Sequence, residues 1–80
     1  MTKRERNKLL KKAYDLLDQA YDLLNEANDE EQSSLENWAE NLQCTDRYER
    51  AEERASMVEE VFSNVEENRD SLESIINDEF

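Results

Sequence analysis

Ala13-Tyr14-Asp15-Leu16-Leu17-Asp18-Gln19 runs directly into Ala20-Tyr21-Asp22-Leu23-Leu24-Asn25-Glu26 and then Ala27, so this stretch nearly repeats itself with a period of seven. With Leu10, Leu17 and Leu24 at heptad position a, Ala13, Ala20 and Ala27 fall at d, the alternating spacing that keeps one stripe on one helix face. The flanking rows are apolar too, with Leu9, Leu16 and Leu23 at g and Tyr14 and Tyr21 at e. A two-stranded coil uses only a and d. A g-a-d-e stripe is broad enough for two neighbours, as in a three- or four-helix bundle.

A second periodic segment follows Thr45, whose hydroxyl suits an N-cap and whose neighbour Asp46 suits the positive end of the helix dipole. Tyr48, Ala51, Ala55, Val58, Phe62, Val65, Arg69, Leu72 and Ile76 keep the three-four spacing without a slip, and Arg69 alone breaks the apolar pattern. Val61 and Ile75 widen the stripe on one side, while Met57 lies off it. Helix 1 is expected from about residue 3 to about 30, a joint over about 31–45 and helix 2 over about 46–77. Within the joint, Ser33 with Glu36 fits a capping box for a short separate helix carrying Leu35, Trp38 and Leu42, and uninterrupted helix to about residue 34 fits equally well.

The rest of the composition agrees with helices and excludes much else. Among 80 residues there is no glycine, proline or histidine, and 22 acids stand against 10 bases for a net charge of -12. Without glycine and proline, tight hairpin turns and phosphate-cradling loops lack their usual residues. The acidic balance disfavours direct binding to nucleic acid or to an anionic membrane. One cysteine, Cys44, cannot form an internal disulfide, which fits a reducing cytoplasm; the expected packing for Cys44 is as a small, partly buried residue. No apolar run is long enough for a membrane span or a signal peptide. With neither a His base nor a lysine in an apolar setting, no catalytic residue can be named, and the protein is read as not an enzyme. No glycine-turned calcium loop and no Glu-x-x-His pair exists, so neither a metal nor a cofactor is expected.

Residues 1–12 hold Lys3, Arg4, Arg6, Lys8, Lys11 and Lys12 against Glu5, whereas the remainder holds 4 bases and 21 acids. Bases at the start of one helix and Glu73, Asp78 and Glu79 at the end of the other each oppose their own dipole, and laying the termini side by side relieves both. The expected fold is all-α: an antiparallel helical hairpin. At this length a single core is marginal, so two hairpins are expected to pair as a homodimeric four-helix bundle. The residues assigned to that oligomer interface are Leu10, Leu17, Leu24, Tyr14, Tyr21, Val58, Phe62, Val65, Leu72 and Ile76. Arg69 is expected to reach Glu66, Glu73 or a carboxylate of a partner chain. Trp38 either closes the end of the core or anchors a binding surface.

Glu52-Glu53, Glu59-Glu60 and Glu66-Glu67 recur every seven residues and are followed by Glu73. The doublets occupy e and f, ~10.5 Å apart along the helix, and form a row of negative charge. Such a row is an ordinary solvated flank in many coiled coils. It also has the character of a nucleic-acid backbone, and would then face the basic channel of a nucleic-acid-binding protein.

The segment Asn37-Trp38-Ala39-Glu40-Asn41-Leu42-Gln43-Cys44-Thr45-Asp46-Arg47, preceded by Asp29-Glu30-Glu31-Gln32, resembles a group of small acidic helical proteins of phages and mobile elements in low-GC Gram-positive bacteria. In that group an Asn-Leu-Pro-Glu-x-Leu-Gln-like joint leads to a Ser/Thr-x-Arg helix start; here Trp38 and Ala39 stand in place of Leu-Pro. The resemblance implies a mobile-element origin. By analogy with anti-CRISPR proteins, which are similar in size and charge, it implies a non-catalytic inhibitor of a basic host defence protein in the bacterial cytoplasm. The competing expectation is a coiled-coil adaptor or assembly module without nucleic-acid mimicry.

Overall fold

A computed structural model describes residues 1–78, apart from the side chain of Glu40. Helix α1 spans Lys3–Glu36 and helix α2 spans Asp46–Asn77, joined by a single 3-10 turn at Glu40–Leu42, with no strand among the described residues. The two helices pack against each other as a helical hairpin. The Cα envelope measures 61 × 17 × 15 Å and the radius of gyration is 18.0 Å, against roughly 12 Å for a compact chain of this length. The molecule is a rod two helices wide. Among the described residues only Ala55 is buried, at 1% exposure.

Both helices begin with a side-chain cap. The Thr45 hydroxyl accepts from the backbone N–H of Tyr48 at 3.3 Å, as its position before the periodic segment predicts. At α1 the Thr2 hydroxyl accepts from the Glu5 N–H at 3.2 Å, and the Glu5 carboxylate accepts in return from the Thr2 N–H at 3.5 Å. This reciprocal box satisfies two otherwise orphaned donors and places one negative charge in a first turn that is basic on balance.

Helix α1 runs past the expected end near 30 through Ser33 and Ser34 to Glu36, which agrees with the uninterrupted one of the two expected alternatives. Ser33 therefore opens no separate helix; its carbonyl accepts from the Asn37 N–H at 3.2 Å as part of the C-terminal turn. Glu31 pairs with Arg54 of α2 at 2.8 Å, and Gln32 and Leu35 are half-buried beside it, so the polar segment is still tied to the hairpin. The joint reverses the chain with no residue at positive φ. Leu42 N–H donates to the Ala39 carbonyl at 2.9 Å, and the Leu42 carbonyl accepts from both the N–H and the hydroxyl of Thr45, at 3.2 and 2.6 Å. A 3-10 turn needs only ordinary right-handed backbone, which suits a chain without glycine. Cys44, expected partly buried, is exposed in this joint, because the turn projects past the last packed residues of both helices.

The inward face of α1 also differs from the a-plus-d seam. Leu10, Tyr14, Leu17, Tyr21, Leu24, Asn28, Glu31 and Leu35 are half-buried, whereas Ala13 and Ala27 are exposed. The row facing α2 is thus a and e. Tyrosine rings bury more apolar area than alanine methyls, and here they find partners: Tyr21 lies against Phe62 with centroids 5.0 Å apart. Trp38 closes the joint end by an edge-on contact with Tyr48 at 5.5 Å, one of its two expected roles.

Candidate functional site: two opposed faces of the hairpin

The seam on α2 is formed by positions a and d, including Ala55, Val58, Phe62, Val65, Arg69, Leu72 and Ile76. All ten residues assigned to an oligomer interface, Leu10, Leu17, Leu24, Tyr14, Tyr21, Val58, Phe62, Val65, Leu72 and Ile76, are half-buried on seam positions of one chain. The seam needs no second copy to bring them together. Arg69 sits among them with its side chain only 18% exposed. Its Nη1 donates to Asp18 of α1 at 3.0 Å and its Nη2 to Asp70 at 3.3 Å, while the guanidinium lies 4.2 Å over the Tyr21 ring. Asp18, rather than the expected Glu66 or Glu73, is its cross-helix partner, because Asp18 borders the a–e seam at the level of Arg69. Removal from water pulls the Arg69 pKa down, but hydrogen bonds and charge from Asp70 and Asp18 outweigh this and leave it raised. Arg54 pairs with Glu31 at 2.8 Å nearer the joint, on an exposed surface.

Tyr14 lies on the same seam. Loss of solvent raises the pKa of its phenol, and the neighbouring carboxylates Glu73 and Asp18 push it further in the same direction.

Two flanks remain outside the seam. In an antiparallel pair, the flank preceding the seam on one helix and the flank preceding it on the other fall on the same side of the hairpin. On α1 that flank carries Leu9, Leu16 and Leu23, and on α2 it carries Met57, Val61 and Ile75. All six are exposed, Leu16 at 66% and Leu23 at 68%. Residues of both helices meet on this side: Leu9, Leu10 and Ile75, with Lys3, Arg6 and Asn7, border one depression near the termini, and Leu24, Met57, Val58 and Val61, with Arg54, border another nearer the joint. One broad side of the rod therefore exposes most of the large apolar side chains left outside the seam, interrupted on α2 by Arg54 and Asn68.

The opposite side is anionic. It carries Asp15, Asp22 and Asp29 of α1 with Glu52, Glu53, Glu59, Glu60, Glu67 and Glu73 of α2, all exposed, and half-buried Glu66. Among the described residues none of these carboxylates is in an ion pair; the pairs there involve Glu31, Asp18 and Asp70. Basic residues concentrate at one end, where Lys3, Arg4, Lys8 and Lys11 with Asn7 border a further depression. Glu79, part of the dipole argument at the termini, lies outside the described residues.

Two features were absent from the sequence reading. The Thr2-x-x-Glu5 spacing signals the first capping box. The leucine row at g was visible, but nothing in the local pattern says that g, and not e, would be left outside.

Among the described residues no group of His, Cys, Asp and Glu side chains has the arrangement to hold a metal ion, and no helix is long and apolar enough to cross a membrane. No family model matches the chain, and no curated protein and no solved structure is similar to it at a significant level.

Proposed function

We propose that the protein is a non-catalytic inhibitor of the kind phages direct against a host defence protein. Two copies pair through their apolar sides as a four-helix bundle, and the acidic side then faces outward to occupy a basic, nucleic-acid-binding surface in the bacterial cytoplasm. The observation that supports this reading is the segregation of the hairpin: carboxylates at heptad spacing, in no ion pair among the described residues, lie on the side opposite the exposed leucines. A charged face so placed remains free after the apolar face is covered. Its field accelerates encounter with a basic partner and is weakened by salt. The exposed apolar row also favours a second reading, an assembly module that joins partners through apolar contact alone.

The test uses the tagged full-length chain and the nucleic-acid-binding proteins it captures from a Gram-positive host. On the inhibitor reading, double-stranded nucleic acid and a rise in salt each displace the captured protein, and replacing Glu59, Glu60, Glu66 and Glu67 by lysine abolishes capture. Capture that persists through high salt and through the charge reversal overturns the inhibitor reading in favour of the assembly module.

A further inference from the structure

The apolar side of the hairpin has an internal order that selects how a second copy lies on it. Alternate leucines and alanines, Leu9, Ala13, Leu16, Ala20, Leu23 and Ala27, climb this flank of α1. The sequence of large and small residues is antisymmetric about residue 18. If a second α1 lies across it antiparallel with a two-fold axis at that level, every leucine meets an alanine: Leu9 faces the partner's Ala27, Leu16 the partner's Ala20 and Leu23 the partner's Ala13. Large side chains opposite small ones interdigitate and bring the helices close.

Helix α2 has the same midpoint. From Val61 onward its outward row on this side is Val61, Asn68 and Ile75, centred on Asn68; Arg54, the member of that row nearer the joint, pairs with Glu31, and Met57 lies beside the row. Asn68 is at the level of the Arg69–Asp18 pair. One two-fold axis therefore serves both helices, with Val61 facing the partner's Ile75 and Asn68 facing its own counterpart. A lone amide pair at the centre of an apolar strip penalises slipped registers, in which each amide meets apolar groups.

Charge selects the same orientation. The joint half of the rod, residues 26–54, holds ten acids and three bases, a net -7, whereas residues 1–12 and 66–78 at the other end together hold seven bases and six acids. Parallel hairpins would gather both anionic halves at one end. Antiparallel hairpins lay each beside the partner's near-neutral, base-rich end and lower the repulsion.

We infer that the apolar side binds a second copy of this chain antiparallel, α1 on α1 and α2 on α2, in a leucine-opposite-alanine register about the level of Asp18 and Asn68. The inference rests on the dimeric part of the proposed function, and the experiment separates the two. Cys44 is the sole cysteine and is exposed at the joint, so a nitroxide attached there reports the distance between the two joints of a dimer. The antiparallel arrangement gives one distance of about 60 Å, from ~1.5 Å per residue on each side of the axis. In the double variant Asn68→Cys, Cys44→Ser, a short bismaleimide links the two copies covalently. A joint-to-joint distance below about 30 Å, the scale set by the helix diameter, or failure of the residue 68 cross-link, in a species of dimeric mass overturns the orientation and leaves the dimer standing. A monomeric mass in sedimentation overturns the dimer itself.

Discussion

Arg69 sits over the Tyr21 ring, its guanidinium carbon 4.2 Å from the ring centroid, while it donates a hydrogen bond to Asp18. The one cation in the apolar stripe of α2 is thereby matched to an aromatic face and a carboxylate three residues apart on α1. A shift of either helix by one turn separates them. The cluster fixes the relative level of the helices more than it supplies bulk stability.

Replacing Arg69 by alanine leaves the Tyr21 face and Asp18 without their partner. The expected outcome in thermal unfolding followed by circular dichroism is a Tm lower by roughly 5 °C. Arg69→Lys recovers only part of this, because an ammonium cannot lie flat on the ring while donating as a fork. Equal stability of Arg69→Lys and wild type would show that point charge alone matters here.

Asn28 occupies an e position of the seam, and its buried Oδ1 has no hydrogen-bond partner. Asn28→Leu removes an unsatisfied acceptor and continues the Leu10-Tyr14-Leu17-Tyr21-Leu24 face. Denaturant unfolding is expected to show stabilisation by about 1–2 kcal/mol. Loss of stability would mean that the amide contributes something leucine does not.

The outward leucines give an opposite expectation. Leu16→Glu and Leu23→Glu alter side chains that are 66% and 68% exposed in the single hairpin, so they cost little within one chain. On a four-helix bundle they place charge in the interface, and the double variant is expected to sediment as a monomer with a Tm that no longer rises with protein concentration. A variant that still dimerises, or a wild type whose Tm is independent of concentration, contradicts the bundle.

Tyr14 reports on the terminal half of the seam through its ionisation. A phenol is neutral when protonated, so a raised pKa means the folded chain holds that proton more tightly than the unfolded chain does. Its contribution to stability is full below the ordinary value of 10.0 and disappears as pH climbs through the higher folded value. Absorbance titration of phenolate formation should therefore lose a component above pH 10 in Tyr14→Phe, and Glu73→Gln should move that component downward. A component unchanged by Glu73→Gln would rule out that carboxylate as a contributor.

Much of this architecture was legible along the chain. Thr45 caps α2, and the unbroken spacing from Tyr48 to Ile76 places its limits. Charge at the termini gives antiparallel helices, and the glutamate doublets mark the acidic flank. These are local matters: capping, periodicity and dipole act within a turn or two, and the residues that decide them are neighbours in sequence.

The rotation of α1 about its own axis was not legible. Its stripe is apolar over four of seven positions, so either the alanines at d or the tyrosines at e complete a seam with the leucines at a, and periodicity weighs both alike. Contact of Tyr21 with Phe62 and Arg69 of α2, and of Arg69 with Asp18, turns the tyrosine row inward and leaves Leu9, Leu16 and Leu23 outside. The extension of α1 through Glu30-Glu31-Gln32 to Glu36 is decided likewise by what α2 places opposite. Sequence by itself determined that there are two long helices, where α2 begins and which way they run; tertiary packing decided which faces meet, because that choice depends on side chains some 40 to 50 residues apart.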